Sequence, residues 1–225
     1  MDRTTTPNSP EPPKPAPTVQ AYLDLQMVFV FLNGRLFNFL LPNALITFQR
    51  KSGAGGYFSG NRFATRDNCT VVHEIALNPS CFAEQTDTEI VAILAHEMCH
   101  LWQHHCRTPL KRAYHDRVWA AQMILIGLVP SHTGAPNGRK VGVKMSHYIE
   151  PGGLFDVACR ELLANGTVIT YVERVDAARR RLGQKKRDSK TKFVCPGCKW
   201  QIWGKPDTRV RCDGCDELLV TTAKP

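Results

Sequence analysis

Apolar positions first recur at helical spacing after Thr18, where Tyr22, Leu25, Met27, Phe29, Val30 and Leu32 predict a buried helix that stops near Asn33-Gly34. Beyond Pro42 the period shortens. Ala44 to Arg50 reads as a strand, the glycine-rich turn Ser52-Gly53-Ala54-Gly55-Gly56 joins it to Tyr57–Ala64 in a predicted hairpin, and Val71 to Asn78 predicts a third strand. Helical spacing then returns. Thr86-x-x-Glu89 is a capping-box pattern, and Ile90, Ile93, Leu94, Met98, Leu101 and Trp102 follow it on a helix from about Asp87 to His105. A third helix is expected from Asp116 to Ile126, stopped by Gly127 and Pro130, followed by a loop through Gly142. A fourth runs from Leu154 to Ala164, closed by Asn165-Gly166, and Val168 to Val172 looks like a strand. The order of elements is that of an α+β domain over residues 18–173. It is preceded by a Pro-rich arm, residues 1–17, that cannot bury a core.

Composition narrows the class. The chain has 225 residues, 43% hydrophobic and 22% charged, which excludes a collagen, a coiled coil or a wholly disordered chain. Its densest apolar run, Met27 to Leu32, is far short of the ~20 residues of a membrane helix. Residues 1–20 lack the apolar core of a signal peptide, so a cytoplasmic address with reduced thiols is expected, nucleoid-associated if the source is bacterial. Nine cysteines are an awkward number for a disulfide framework; Cys69, Cys81, Cys99, Cys106 and Cys159 are scattered and expected to be small buried hydrophobes. The net charge of +9 is concentrated: residues 174–192 hold nine basic side chains against Asp176 and Asp188. That segment is read as a basic linker between the main domain and a terminal module, residues 193–225.

Two motifs carry chemistry. His96-Glu97-Met98-Cys99-His100 places two imidazoles one helical turn apart, where both can reach one zinc ion, with Glu97 beside them as a proton acceptor. A catalytic zinc takes a third protein ligand and keeps one position open. His104, eight residues along the helix, stands ~12 Å from His96, too far to share a metal. Cys106 lies where metzincins place their last histidine, but Gln103 replaces the glycine at which their chain turns. No glutamate lies between Leu101 and Ile149, and Glu150 and Glu161 are distant options. His115 is the better candidate, because a turn through Thr108-Pro109 would bring it back across the helix; His132 and His147 read as loop or core residues. The second motif, Cys195-x2-Cys198-x13-Cys212-x2-Cys215, has the spacing of a zinc ribbon whose four thiolates close a structural site.

The spacing His96-Glu97-x2-His100-x14-His115, preceded by a helix, a small sheet and Leu41-Pro42, resembles the SprT-like domain of Spartan-type metalloproteases over roughly Thr18 to Glu173. Bacterial SprT-like proteins often end in a four-cysteine zinc module. The resemblance implies a zincin-like fold, zinc held by His96, His100 and His115, Glu97 as the base, and proteolysis stimulated by DNA and aimed at DNA-crosslinked proteins. Spartan-like members flank the third histidine with glycines, whereas this chain has Tyr114-His115-Asp116.

Within the terminal module, Trp200 and Trp203 alternate with Lys199, Lys205, Arg209 and Arg211. Aromatic side chains among cations can stack on bases while the cations follow phosphates; the alternative is that one or both tryptophans form the small core of the module. Together with Arg179, Arg180, Arg181, Lys185, Lys186 and Arg187 of the linker, they predict contact with DNA, single-stranded by preference and without sequence specificity. The expected function is a zinc-dependent endopeptidase acting on DNA-associated proteins. The rival is a non-catalytic, zinc-containing nucleic-acid-binding or regulatory protein, which would have no need of Glu97; another hydrolase chemistry on the same zinc is a weaker option.

Overall fold

The computed structural model describes residues 15–107, 114–167, 169–174 and 190–221. Its described elements form two compact units that divide between Glu173 and Arg174. The first is a mixed α+β assembly. It contains α1 (Pro17–Phe37), β1 (Ala44–Phe48), β2 (Gly56–Ala64), β3 (Val71–Leu77), α2 (Pro79–Phe82), α3 (Asp87–Cys106), α4 (Arg117–Leu125), β4 (Leu128–Ser131), β5 (Ser146–Ile149) and α5 (Leu154–Ala164).

Helix α3 is the axis of this unit, packed against α1, α4, α5, β2 and β3. Thr86 caps it: the Glu89 backbone N–H donates to Thr86 Oγ1 and the Thr86 N–H to Glu89 Oε2, the reciprocal box its sequence predicts. Ile90, Leu94, Met98 and Leu101 are buried in one cluster with Leu25, Phe29 and Leu32 of α1, Ile75 and Leu77 of β3, Phe82, Trp119 and Phe155. Apolar side chains on every side of α3 leave one face free for chemistry.

Four expectations are corrected. Helix α1 does not stop at Asn33-Gly34 but continues to Phe37, ending at Asn38 in the left-handed region. The buried Asn33 side chain accepts from the Leu41 N–H and donates to the Leu41 carbonyl, clamping the returning chain instead of ending the helix. Gly34 leaves room for the Phe39 ring, which a Cβ would meet at 2.6 Å. The β1–β2 hairpin does not form either: β3 lies in the middle, parallel to β1 and antiparallel to β2. The most buried strand of these three takes the central place, and the glycine-rich loop wraps Asn78, whose Nδ2 donates to the carbonyls of Lys51 and Ala54.

Beyond Gly166 there is no strand among residues 169–174, and Val168 lies outside the described residues. The chain instead docks on α1 through the Thr170 N–H, which donates to buried Asp24. Conversely, part of the expected loop forms the antiparallel ribbon β4–β5, with Pro130 opposite His147. A proline inside a run speaks against a strand, but a two-stranded ribbon tolerates it at a free edge. Of the scattered cysteines Cys99 and Cys159 are buried as expected, while Cys69 and Cys106 are exposed and Cys81 is half-buried; all nine thiols are free.

The second unit holds β6 (Thr191–Val194), β7 (Gln201–Gly204) and β8 (Val220–Thr221) in the order β7-β6-β8. Its core is only Phe193, Leu219, Cys195 and Cys212, with Ile202, Val210 and Cys215 packed beside them. No helix among the described residues is long and apolar enough to cross a membrane.

Because the Thr86 hydroxyl holds the first turn of the helix on which the core is built, Thr86→Ala is expected to lower stability by about 1 kcal/mol, and Thr86→Ser by much less. Urea unfolding of the full chain, followed by its helical circular dichroism, checks this.

Candidate metal centre and cleft

His96, Glu97 and His100 occupy the one face of α3 that is not sealed by apolar packing. The chain reaches His115 at the foot of α4, and side chains lock that approach. Asp116 caps α4 by accepting the Trp119 N–H at 2.9 Å, and the same oxygen accepts from Gln103 of α3, also at 2.9 Å. Gln103, at the position where a metzincin chain turns, therefore binds α4 to α3. His115 is fixed further by a two-way backbone bridge to Gly142, whose φ of +150° favours glycine. The glycine beside His115 comes from across the bridge and not from its immediate neighbours.

The structure brings His96, His100 and His115 together, with ligand nitrogens all within 4.8 Å of one another. His96 Nε2 and His115 Nε2 stand 3.3 Å apart. Tetrahedral zinc with bonds of about 2.0–2.1 Å sets its nitrogens about 3.3–3.4 Å apart, so this pair is already spaced for a shared metal. The Trp119 ring, fully buried, lies under all three imidazoles at centroid distances of 4.8, 5.2 and 4.4 Å.

Burial controls the charge of the group. His96 is held well below the ordinary histidine range by burial and then by its histidine neighbours, and His100 falls to about 3 for the same reasons. His115 is lowered by burial, opposed by backbone hydrogen bonds of Gly142 and Val143. Neutral imidazole is the form that donates a lone pair to a metal. Glu97 moves the other way: burial raises it to about 8 against the pull of Lys51 and the Phe58 backbone.

These residues floor a cleft of about 990 Å³, walled by Lys51–Gly60 on one side and Val143–His147 on the other. Strand β2 approaches α3 closely because Gly56 has no side chain; a Cβ there would stand 2.9 Å from the Ala76 carbonyl and 3.2 Å from Glu97 Cγ. The other sequence candidates are not in the histidine group. His104 and His132 line the cleft, His104 packed with His73 and Phe58 at 4.9 and 5.4 Å and His132 accepting the Arg139 N–H, while Cys106 is exposed, Glu161 pairs with Arg35 and Glu150 is exposed. His147 is neither a loop nor an ordinary core residue: it sits on β5 with its Nδ1 3.2 Å from His96 Nδ1. Neither it nor Trp119 was assigned to the site from sequence. The one available signal was Trp119 itself, one turn beyond His115.

In the second unit the sulfurs of Cys195, Cys198, Cys212 and Cys215 converge within 4.8 Å. Cys198 and Cys212 Sγ are 3.6 Å apart, near the roughly 3.8 Å edge of a tetrahedron with zinc–sulfur bonds of about 2.3 Å. Each knuckle ends in a residue in the left-handed region, Lys199 at +63° and Asp216 at +52°. Hydrogen bonding from the Trp200 backbone and the neighbouring thiols draws Cys198 down to about 7, while hydrogen bonding with Cys198 pushes Cys215 up to about 12. Trp200 and Trp203 are 53% and 66% exposed, so neither belongs to the ribbon core. Lys192 lies directly across from Trp203 in the β6–β7 register. Arg179, Arg180, Arg181, Lys185, Lys186 and Arg187 lie outside the described residues.

Two outcomes follow from this geometry. Metal analysis of His115→Ala is expected to find one bound ion fewer per chain than the parent, whereas Cys106→Ala should match the parent. The metal-stripped chain should be most stable near pH 6.5. Below that value an unfolded chain gains protons that four histidines, buried His96 and His115 and half-buried His100 and His147, refuse when folded, so stability is lost as pH falls toward 4. Glu97 acts in the opposite sense: its stabilisation is complete below 4.5 and is lost as pH rises through about 8. Melting temperatures measured across pH 4 to 9 test the maximum, and a flat profile would contradict it.

Comparison with known proteins agrees with the geometry. The SprT-like family matches residues 25–144, just over half of the chain. An uncharacterized protein from the mucB 3′ region of Salmonella typhimurium is 42% identical over 59 residues, which span 26% of this chain and 80% of that relative. No solved structure matches the chain. The histidine group, the carboxyl beside it and the matched stretch that contains them lead to one conclusion: this chain belongs to the SprT-like family, and the unit that contains the matched residues 25–144 is of metallopeptidase type.

Proposed function

We propose that the chain is a zinc-dependent endopeptidase that acts on proteins bound or crosslinked to DNA, and that its terminal unit holds it there. The observation that carries the peptidase reading is Glu97, a buried carboxyl directly beside three converging imidazoles at the floor of an open cleft. An all-histidine donor set suits zinc in a site with an open position, and an all-thiolate set suits structural zinc. Zinc at the histidines would supply a Lewis acid that polarises the scissile carbonyl and lowers the pKa of a bound water to ~7.

The chain's own groups do the rest. Glu97, with a proton affinity near neutrality, takes a proton from the attacking water at a carboxylate oxygen and returns it to the departing amine nitrogen. Lys51 and the Phe58 backbone keep its charged form accessible. Strand β2 is an edge strand beside the cleft, so an extended peptide can lie along it, pairing main chain to main chain. A folded protein cannot enter such a cleft without first presenting a loose segment.

The nucleic-acid reading rests on the charge of residues 174–192 and on two exposed tryptophans, Trp200 and Trp203, the second across from Lys192. Phosphate contacts would tether the enzyme without reading sequence. Nine free thiols are in keeping with a reducing, cytoplasmic setting, at the nucleoid in a bacterium.

The direct test is incubation of the zinc-loaded protein with a DNA-binding protein, with and without single-stranded DNA, followed by analysis of fragments. Glu97→Gln is expected to abolish cleavage while metal content and fold persist, because the amide keeps the shape but takes no proton. A variant that cleaves as fast as the parent would remove Glu97 from the mechanism. Truncation after Glu173 should remove most DNA affinity, and full-length binding should weaken with salt at a log-log slope of roughly 0.7 per phosphate contact on single strands. Alanine at Trp200 and Trp203 should cost ~1–3 kcal/mol per base unstacked, with the salt slope and the ribbon metal unchanged. Tight single-stranded DNA binding by the truncated chain would move the nucleic-acid surface to the peptidase unit.

A further inference from the structure

His147 lies three residues beyond the stretch matched by the family and 51 residues from His96, yet it touches the metal group from behind. The protons on the imidazoles can be ordered from the geometry. His115 Nδ1 is 3.0 Å from the Gly142 carbonyl, which can only accept, so that nitrogen carries the hydrogen and Nε2 is bare. His96 turns its Nε2 inward, 3.3 Å from His115 Nε2, and its Nδ1 outward, 3.2 Å from His147 Nδ1. If both Nε2 atoms are to offer lone pairs to a metal, the single proton of neutral His96 must sit on Nδ1. The facing His147 Nδ1 is then an acceptor, and His147 carries its own proton on Nε2.

We propose that His147 is a positioning residue of the metal centre, accepting the Nδ1–H of His96 and so holding that ring in the tautomer that presents Nε2 to the metal. The inference rests on the metal-site reading given above and adds to it an outer partner from a different element, strand β5. His96 packs against Trp119 and is only 7% exposed, so its Nδ1–H has little access to water. Without the acceptor, metal binding would strand a buried donor, and the competing tautomer, protonated on Nε2, would block the site. His115 has a backbone carbonyl for this purpose; His96 has a side chain, which can be substituted.

The test uses the full-length chain and zinc, with affinity at the histidine site measured by chelator competition and the ribbon zinc serving as an internal standard. His147→Leu is expected to weaken zinc binding by about 10- to 100-fold, and His147→Asn, whose Oδ1 stands where Nδ1 stood, to restore it to within about threefold of the parent. Long-range proton–nitrogen NMR of the zinc-loaded protein should show His96 protonated on Nδ1 in the parent and in His147→Asn, and a tautomer mixture in His147→Leu. If the leucine variant does not fold, His147→Ser, polar but too short to reach His96, replaces it in the comparison. Equal affinity in parent and leucine variant, or equal weakening by leucine and asparagine, overturns the proposal. A parent that binds no zinc at His96, His100 and His115 overturns the metal-site reading as well, and is distinguished by that result alone.

Discussion

Keeping several imidazoles buried, close together and uncharged is the condition on which the peptidase unit depends. Ionised side chains at this spacing would repel one another in a poorly solvated site, and protonated rings could not ligate. Burial resolves both problems: it drives His96, His100, His115 and His147 neutral and leaves lone pairs where positive charges would otherwise stand. The same dry surroundings raise Glu97 to about 8. One feature of the packing thus shifts the histidines and the carboxyl in opposite directions.

Such a group needs walls, and three different kinds of interaction build them. Trp119 fills the space beneath the rings, where a smaller residue would leave them free to turn. Gln103 and Asp116 fasten α4 to α3, and the Gly142 bridge holds His115 from the far side. Strand β2 closes in on Glu97 because Gly56 permits the approach. The apolar cluster around α1, α3 and α5 makes the platform rigid; the polar contacts at its rim aim the rings.

The terminal unit solves a different problem. A module with so few buried side chains cannot support itself through apolar burial alone, and convergent cysteines give a metal the means to substitute for a core. That arrangement explains why its tryptophans are exposed. With the four cysteines converging between the two knuckles, Phe193, Leu219 and Ile202 provide the apolar packing, and Trp200 and Trp203 remain on the surface, Trp203 across from Lys192.

Local signals were legible wherever neighbours in sequence are also neighbours in space. The Thr86–Glu89 box, the periodicity of α3, the four-residue spacing of His96 and His100 and both cysteine knuckles depend on helix pitch or tight turns, and pitch and turns are properties of short segments. Asn33-Gly34 read as a helix stop because its use as a clamp requires Leu41, and β1 read as half of a hairpin because its true partner is β3, two strands away in order. The β4–β5 ribbon was hidden by Pro130. His115 could be ranked above Cys106 from sequence, but its place was decided by Gln103, Asp116 and Gly142, and His147 and Trp119 joined the site only when β5 and α4 packed against α3. Sequence alone determined which residues could ligate and which helix would carry them, because those follow from local geometry. Only the tertiary structure decided which distant rings share a site and which nitrogen each one turns inward, because those follow from long-range packing and from hydrogen-bond partners far away in the chain.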